Sequence, residues 1–357
     1  MLIIDRLNKI LLRRLFICES PQVNLTEFQY DSIGKFQTKV NKGVYTFESI
    51  SCLCGDSEGI CLTERDRYCL SVSTYLCKSC GIMRTSPRLD ESSLSKFYDQ
   101  DYRSIYVGHS QAPDDFFEEQ ESHGRLIMDF LKPNFKFHEN LTVFDVGCGA
   151  GGVLIPFKNL GCKVFGCDLG SQYLNRGKSI GLILEHGDIK SLDKYGKADL
   201  VILCHVLEHF PNPLEELEKI YNSITDRGYL YIELPGIFKI HRNYVNPLRF
   251  FQNAHLYHFS LSTLNFILGK AGFELVKGDE NIRALYRKTD KRHLSNLNKK
   301  LYLIILIYFY FSEINYSLGL FRFNIGSIRS IISKIIHKIM KQETIYLIKK
   351  SLLIKKT

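Results

Sequence analysis

Between residues 141 and 233, short apolar runs alternate with stretches in which apolar residues recur every three or four positions. LTVFDV, CKVFGCD, LILEH, ADLVIL and GYLYIE read as buried strands, and the amphipathic stretches between them read as helices. A later pair, Phe273 to Val276 and Arg283 to Arg287, reads as an antiparallel edge. Such alternation predicts a doubly wound α/β domain whose ligands sit at the carboxyl ends of its strands. Upstream the pattern changes. Residues 1–17 place Ile3, Leu7, Ile10, Leu11 and Ile17 among basic residues, an amphipathic helix suited to docking on the protein or to a membrane surface. Residues 91–106 are polar and tyrosine-rich, a connecting helix and loop whose tyrosines either close over a ligand or simply pack. A further helix is expected over roughly residues 115–131.

Beyond Lys288 the pattern changes again. LYLIILIYFYF, residues 301–311, is continuously apolar but too short to span a bilayer as a helix. Ile331, Ile332, Ile335, Ile336, Ile339 and Met340 then fall on one helical face, with Lys334, Lys338 and Lys341 opposite. That basic amphipathic helix suits an anionic membrane surface, the body of the protein or a second subunit.

The 357 residues allow one large domain with appendages, or two domains. The formal net charge of +9 is uneven: residues 289–357 hold 13 Lys/Arg against 3 Asp/Glu, so the remainder is close to neutral. Basic character therefore belongs to the tail. Arg6, Lys9, Arg13 and Arg14 interrupt every N-terminal apolar run before it reaches signal-peptide length. This predicts a cytoplasmic protein, with peripheral attachment to the inner face of a membrane through the tail as a further expectation. In that compartment the 11 cysteines should be thiols, which favours a metal site over a disulfide framework.

Candidate chemistry lies in two places. Gly147, Gly149 and Gly151 follow the first strand, which carries Asp145 near its end. Such a turn lets a ligand approach the backbone, although glycine also serves tight packing alone. Asp168, about twenty residues on, is placed to accept hydrogen bonds from ribose hydroxyls. The second place is cysteine-rich. Cys77-Lys-Ser-Cys80-Gly81 has zinc-knuckle spacing, and Cys52-Leu-Cys54-Gly55 is a partner one residue short, with Cys61 and Cys69 between as substitutes. A structural Zn2+ on Cys52, Cys54, Cys77 and Cys80 is expected; the alternative is a ribbon that survives on packing.

VFDVGCGAGG, VFGCDLG, GDI and LCHVLEHFPNP together resemble the class I S-adenosylmethionine-dependent methyltransferases over roughly residues 120–288. The resemblance implies an α/β, Rossmann-like doubly wound sheet of seven strands, a small zinc-ribbon-like module (41–90) and a helical tail (289–357). Residues 1–40 and 91–119 would be an amphipathic segment and a connector. It implies S-adenosyl-L-methionine as cofactor, with Gly147, Gly149 and Gly151 under its methionine and ribose and Asp145 placing its amine. Asp168 and Leu169 would hold the ribose, Asp188 and Ile189 would frame the adenine, and Cys204 and His205 would line the floor.

The ribbon with SPRLDESSLSKFYDQDY is similar to a bacterial subset acting on deoxysugars and surface-polysaccharide precursors, which implies a sugar or glycan acceptor. An acceptor proton calls for a base, and histidine is the usual one. The candidates are His255 and His258 in NAHLYHFSLSTL and His209 in HVLEH. Related sugar C-methyltransferases have H-E-H-x-x-Y-F-S there; here Ala254 and His258 replace the glutamate and the tyrosine. Those enzymes also carry a second α/β domain that residues 289–357 are too few to supply. Rival readings are a zinc-ribbon RNA methyltransferase, a quinone-type small-molecule O-methyltransferase, since HVLEH occurs there too, and a non-catalytic cofactor-binding adaptor. CHVLEHFPNP is not a base-clamping motif and the tail is as apolar as it is basic, so nucleic acid is not expected as partner.

Overall fold

A computed structural model describes residues 8–106, 108, 114–292 and 300–319. The N-terminal part contains α1 (Arg13–Phe16), α2 (Glu27–Asn41), β1 (Phe47–Glu48), β2 (Gly59–Arg65), β3 (Ser71–Cys77), β4 (Met83–Thr85) and β5 (Arg88–Leu89). α3 (Glu91–Gln100), α4 (Tyr102–Tyr106) and α5 (Asp114–Leu131) lead into the α/β region. There follow β6 (Thr142–Val146), α6 (Ile155–Asn159), β7 (Lys163–Asp168), α7 (Ser171–Ser179), β8 (Ile183–His186) and β9 (Ala198–Cys204). The region closes with α8 (Pro213–Ser223), β10 (Ile224–Glu233), β11 (Tyr257–His258), α9 (Leu261–Lys270), β12 (Phe273–Gly278) and β13 (Arg283–Lys288), before α10 (Leu301–Ser317).

The main sheet runs β12-β13-β10-β9-β6-β7-β8. β8, β7, β6, β9 and β10 are mutually parallel, and β13 is antiparallel to both β10 and β12. β9 shows why its sequence is an unbroken apolar run. Val201 and Leu203 point into one core and Leu200 and Ile202 into the other, so both faces must be apolar. In register, Asp145 lies between Gly166 of β7 and Ile202 of β9. This places it at the carboxyl edge, one strand from Asp168.

A second sheet, β11-β4-β3-β2, belongs to the cysteine-rich part. Its outer strand is borrowed: Tyr257 and His258 pair antiparallel with Arg84 and Met83. The histidine-rich segment after β10 is therefore built into the N-terminal sheet. Leu256, Tyr257 and Phe259 share one core with Cys52, Cys77, Cys80 and Ile82.

Both ends of the described chain pack inward. Leu12 and Leu15 join Ile60, Leu62, Phe251 and, from α10, Leu301, Ile305 and Phe309 in a third core. Ile10 and Ile17, expected on the apolar face of the first helix, are instead exposed. The reason is that α1 lies along β2 with its Leu12 and Leu15 side inward, and Arg14 donates to Glu313 of α10 at 2.6 Å and to Asn246 at 2.9 Å. Ile3, Leu7 and the face from Ile331 to Met340 lie outside the described residues. Among the described residues, no helix is long and apolar enough to cross a membrane.

Candidate active site

The turn after β6 is held open by left-handed backbone. Gly147, Gly149 and Gly151 have φ of 74°, 56° and 83°, a region side chains disfavour. A Cβ on Gly147 would stand 2.4 Å from Val206 Cγ2, so at that position the glycine is required twice over. Asp168, at the end of β7, reaches across to this turn. Its Oδ2 accepts from Gly149 N at 2.9 Å, and its Oδ1 accepts from Gly170 N at 2.6 Å and from Arg103 Nη2 at 3.3 Å. α5 braces the other side, with Gln120 donating to Cys148 O and accepting from Gly152 N.

Beside this turn, Asp145 is 2% exposed and its Oδ2 has no hydrogen-bond partner. Burial first, and the nearby Asp168 charge second, push its carboxyl well above the usual carboxylate range. A buried carboxyl group without a partner, beside an open glycine turn, is one that an incoming cationic ligand group would ionise and pair with.

The other expected cofactor residues are spread along the same edge. Leu169 is exposed, Asp188 accepts from Lys190 N and pairs with Lys219, and Ile189 is buried in the core. Cys204 Sγ lies 3.6 Å from His123 Nε2, which in turn lies 3.0 Å from Glu233 Oε2. His205 has φ of 56°, unusual for a non-glycine residue, and its N–H donates to Glu233 O.

Behind His205 lies a buried polar cluster. Glu208 is 1% exposed, and neither carboxylate oxygen has a hydrogen-bond partner. Its Oε1 is 3.6 Å from His205 Nδ1 and 3.8 Å from His255 Nε2. His209 packs edge-on against His255, and His209 Nδ1 lies 2.9 Å from Ala254 O and 3.0 Å from Tyr98 OH. Tyr98 and Tyr102, from α3 and α4, both pack their rings against His209. His255 contacts the Gln252 carboxamide through Nε2, while His258 sits between His255 and the rings of Phe250 and Phe251.

Burial pushes His209, His255 and His258 below the ordinary imidazole range, to about 3 for His258. For His205 burial pulls the same way, but the Glu208 carboxylate outweighs it and the shift is upward. Glu208 stays low although burial pushes it up, because His205 and His209 lie beside it. Of the four imidazoles, His205 is the half-exposed one; His255 and His258, expected as acceptor-side bases, are interior. Sequence reasoning did not single out Glu208, Arg103 or Tyr98. The available signals were the tyrosine-rich run that contains Tyr98 and the position of Glu208 between His205 and His209.

The cysteine cluster closes despite its short first knuckle. Cys52 Sγ lies 3.4 Å from Cys80 Sγ, Cys54 Sγ lies 3.6 Å from Cys77 Sγ, and all four sulfurs fall within 4.8 Å of one another. Hydrogen bonds from Cys52 and Cys80 hold the Cys77 thiol low, to about 2. Four soft donors converging from two turns fit a tetrahedral Zn2+. Cys61 and Cys69 are not part of this group. The expectation that every cysteine is a thiol is corrected: Cys18 and Cys69 form a disulfide, with Cα atoms 5.5 Å apart. The chain after α1 runs back along the loop between β2 and β3, where Gln22 N donates to Arg67 O, and this brings Cys18 to Cys69.

Residues 117–277 match the family model described as "Methyltransferase domain". Among curated proteins, the ubiquinone biosynthesis O-methyltransferase of Colwellia psychrerythraea is 28% identical over 100 residues, covering 26% of this chain and 41% of the relative. The tRNA U34 carboxymethyltransferase of Actinobacillus succinogenes is 28% identical over 166 residues, covering 43% of this chain and 52% of the relative. The chain thus spans about half or less of the length of these relatives. A solved structure of magnesium protoporphyrin IX methyltransferase from Synechocystis PCC 6803 with bound S-adenosylmethionine overlaps at a TM-score of 0.40 and 18% identity, covering 55% of this chain and 97% of that one. Residues 117–277 are thus similar to a methyltransferase domain.

Proposed function

We propose that this protein is an S-adenosylmethionine-dependent methyltransferase acting on a sugar or glycan precursor, with a structural Zn2+ on Cys52, Cys54, Cys77 and Cys80. The observation that carries the cofactor reading is Asp145, whose buried Oδ2 lacks a partner beside three left-handed glycines. The cofactor's ammonium would neutralise that carboxylate, and Asp168 would exchange its contact with Arg103 for ribose hydroxyls. Leu169, Asp188 and Ile189 would frame the adenine.

Once bound, S-adenosylmethionine supplies an electrophilic methyl group, so the protein mainly aligns the acceptor and takes a proton. The carboxyl ends of β9 and β10 present His205, Cys204 and Glu233, with His123 of α5 facing them. His205, half-exposed and beside Glu208, is placed to accept the acceptor proton, while Tyr98 and Tyr102 cover the interior side and exclude water. The sugar or glycan class is favoured by the conjunction of the thiol cluster with the SPRLDESSLSKFYDQDY segment. The similarity to a ubiquinone biosynthesis O-methyltransferase supports a second reading, a phenolic acceptor.

Calorimetric titration with S-adenosylmethionine tests the cofactor assignment. Wild-type protein should bind, and Asp145→Asn should bind about tenfold or more weakly, as expected for loss of one charge-assisted contact. Failure of well-folded wild type to bind would overturn the reading. Turnover assays offering nucleotide sugars, polyhydroxylated phenols and tRNA then separate the acceptor classes.

A further inference from the structure

We propose that Glu208, His209 and His255 form a second metal site, for a divalent transition ion, separate from the four thiols. One donor atom from each of the three residues lies within 4.8 Å of the others, in the interior behind His205. Glu208 carries the argument. A carboxylate that is 1% exposed, with neither oxygen holding a hydrogen bond, is faced in this buried site by imidazoles alone, an arrangement that a bound cation would complete. Its nearest imidazole nitrogens, at 3.6 and 3.8 Å, are too far to be hydrogen-bonded partners. The 3.8 Å to His255, a proposed ligand, is nevertheless close to the separation of about 3–3.5 Å that follows when two donors each sit about 2 Å from one ion.

His209 supplies an independent sign. Its Nδ1 is 2.9 Å from the carbonyl oxygen of Ala254, which can only accept, so the proton is on Nδ1 and the Nε2 lone pair is left to ligate. A ligating histidine whose other ring nitrogen donates to a backbone carbonyl is the usual outer-shell arrangement of metal sites. Tyr98, on the same side, and the ring of Tyr102 wall the cluster from α3 and α4. Two imidazoles and one carboxylate select Zn2+, Co2+ or Fe2+ over Mg2+ or Ca2+. His205, half-exposed on the outer side, marks the direction from which a further ligand would approach.

The test is metal uptake by the full chain, with Zn2+ and Co2+ as probes, and it does not depend on methyl transfer. Cys77→Ser removes the thiolate site and its intense charge-transfer absorption with Co2+. The variant should still take up one equivalent of metal per chain. Glu208→Gln should lose one equivalent and keep the thiolate absorption, and His255→Gln should do the same, covering the case in which one variant fails to fold. A folded Cys77→Ser variant that takes up no metal would overturn the proposal, leaving Glu208 as the partner of a protonated His205. Unchanged uptake in Glu208→Gln and His255→Gln would overturn it equally.

Discussion

Arg103 donates to Asp168 at 3.3 Å while its guanidinium lies 3.6 Å from the centroid of the Tyr173 ring. α4 thus reaches across to the end of β7 and occupies one oxygen of the carboxylate proposed to hold the ribose. Arg103→Ala should therefore tighten S-adenosylmethionine binding by about two- to fivefold, the scale of one partly exposed ion pair. Asp168→Ala should weaken binding by about tenfold or more. Calorimetry on both variants checks this; weaker binding by Arg103→Ala would mean that the arginine contacts the ligand.

Gly147→Ala should damage both stability and cofactor binding. A Cβ there would sit 2.4 Å from Val206 Cγ2, and φ of 74° adds a left-handed penalty of about 1–2 kcal/mol. Adding Val206→Ala removes the steric part only. The double variant should recover part of the lost Tm but not all of it, as thermal melts would show.

Asp66 should make stability fall as pH rises. Its carboxylate accepts from Tyr68 N, Leu70 N and Asn253 N, but complete burial outweighs these donors and raises it from 3.8 to about 7. The Arg67 guanidinium beside it pulls the other way without overcoming burial, and Tyr68 and Tyr106, the neighbouring phenols, are themselves pushed up by burial and stay neutral. The folded state holds the proton where the unfolded state does not. The resulting stability is complete below 3.8 and is lost as pH rises through about 7, at most about 4 kcal/mol. The difference in Tm between wild type and Asp66→Asn, followed across that window, should shrink and then reverse as pH rises. A difference independent of pH would show that the three N–H donors keep Asp66 ionised.

Cys18→Ser should cost about 2–4 kcal/mol, because the disulfide to Cys69 closes a loop with a sequence separation of 51. The proposed cofactor residues lie outside that loop, so S-adenosylmethionine affinity should be unchanged. A denaturant melt and a binding isotherm on the variant check both halves.

How much of this was legible beforehand depends on the range over which each feature is encoded. The doubly wound sheet was legible because a strand buried on both faces, such as Leu200 to Leu203, is visible as an unbroken apolar run. The glycine turn was equally visible, since Gly147, Gly149 and Gly151 sit within five residues and each is required by its own backbone. The thiol pairs were visible as two short spacings, even with the first one contracted to Cys52-Leu53-Cys54.

By itself, then, the sequence determined the local vocabulary: strands and helices, the open turn, and the two cysteine knuckles. Only the tertiary structure decided that Tyr257 and His258 pair with Arg84 and Met83, which fastens the thiol-bearing sheet to the α/β region. It also brought Cys18 to Cys69, Arg14 to Glu313, and Glu208 to His255. Each of these pairs joins residues far apart in the chain, where neither periodicity nor spacing carries information. Their meeting follows from burying several apolar faces at once, and the polar groups carried along, Glu208 among them, take whatever neighbours that packing leaves them.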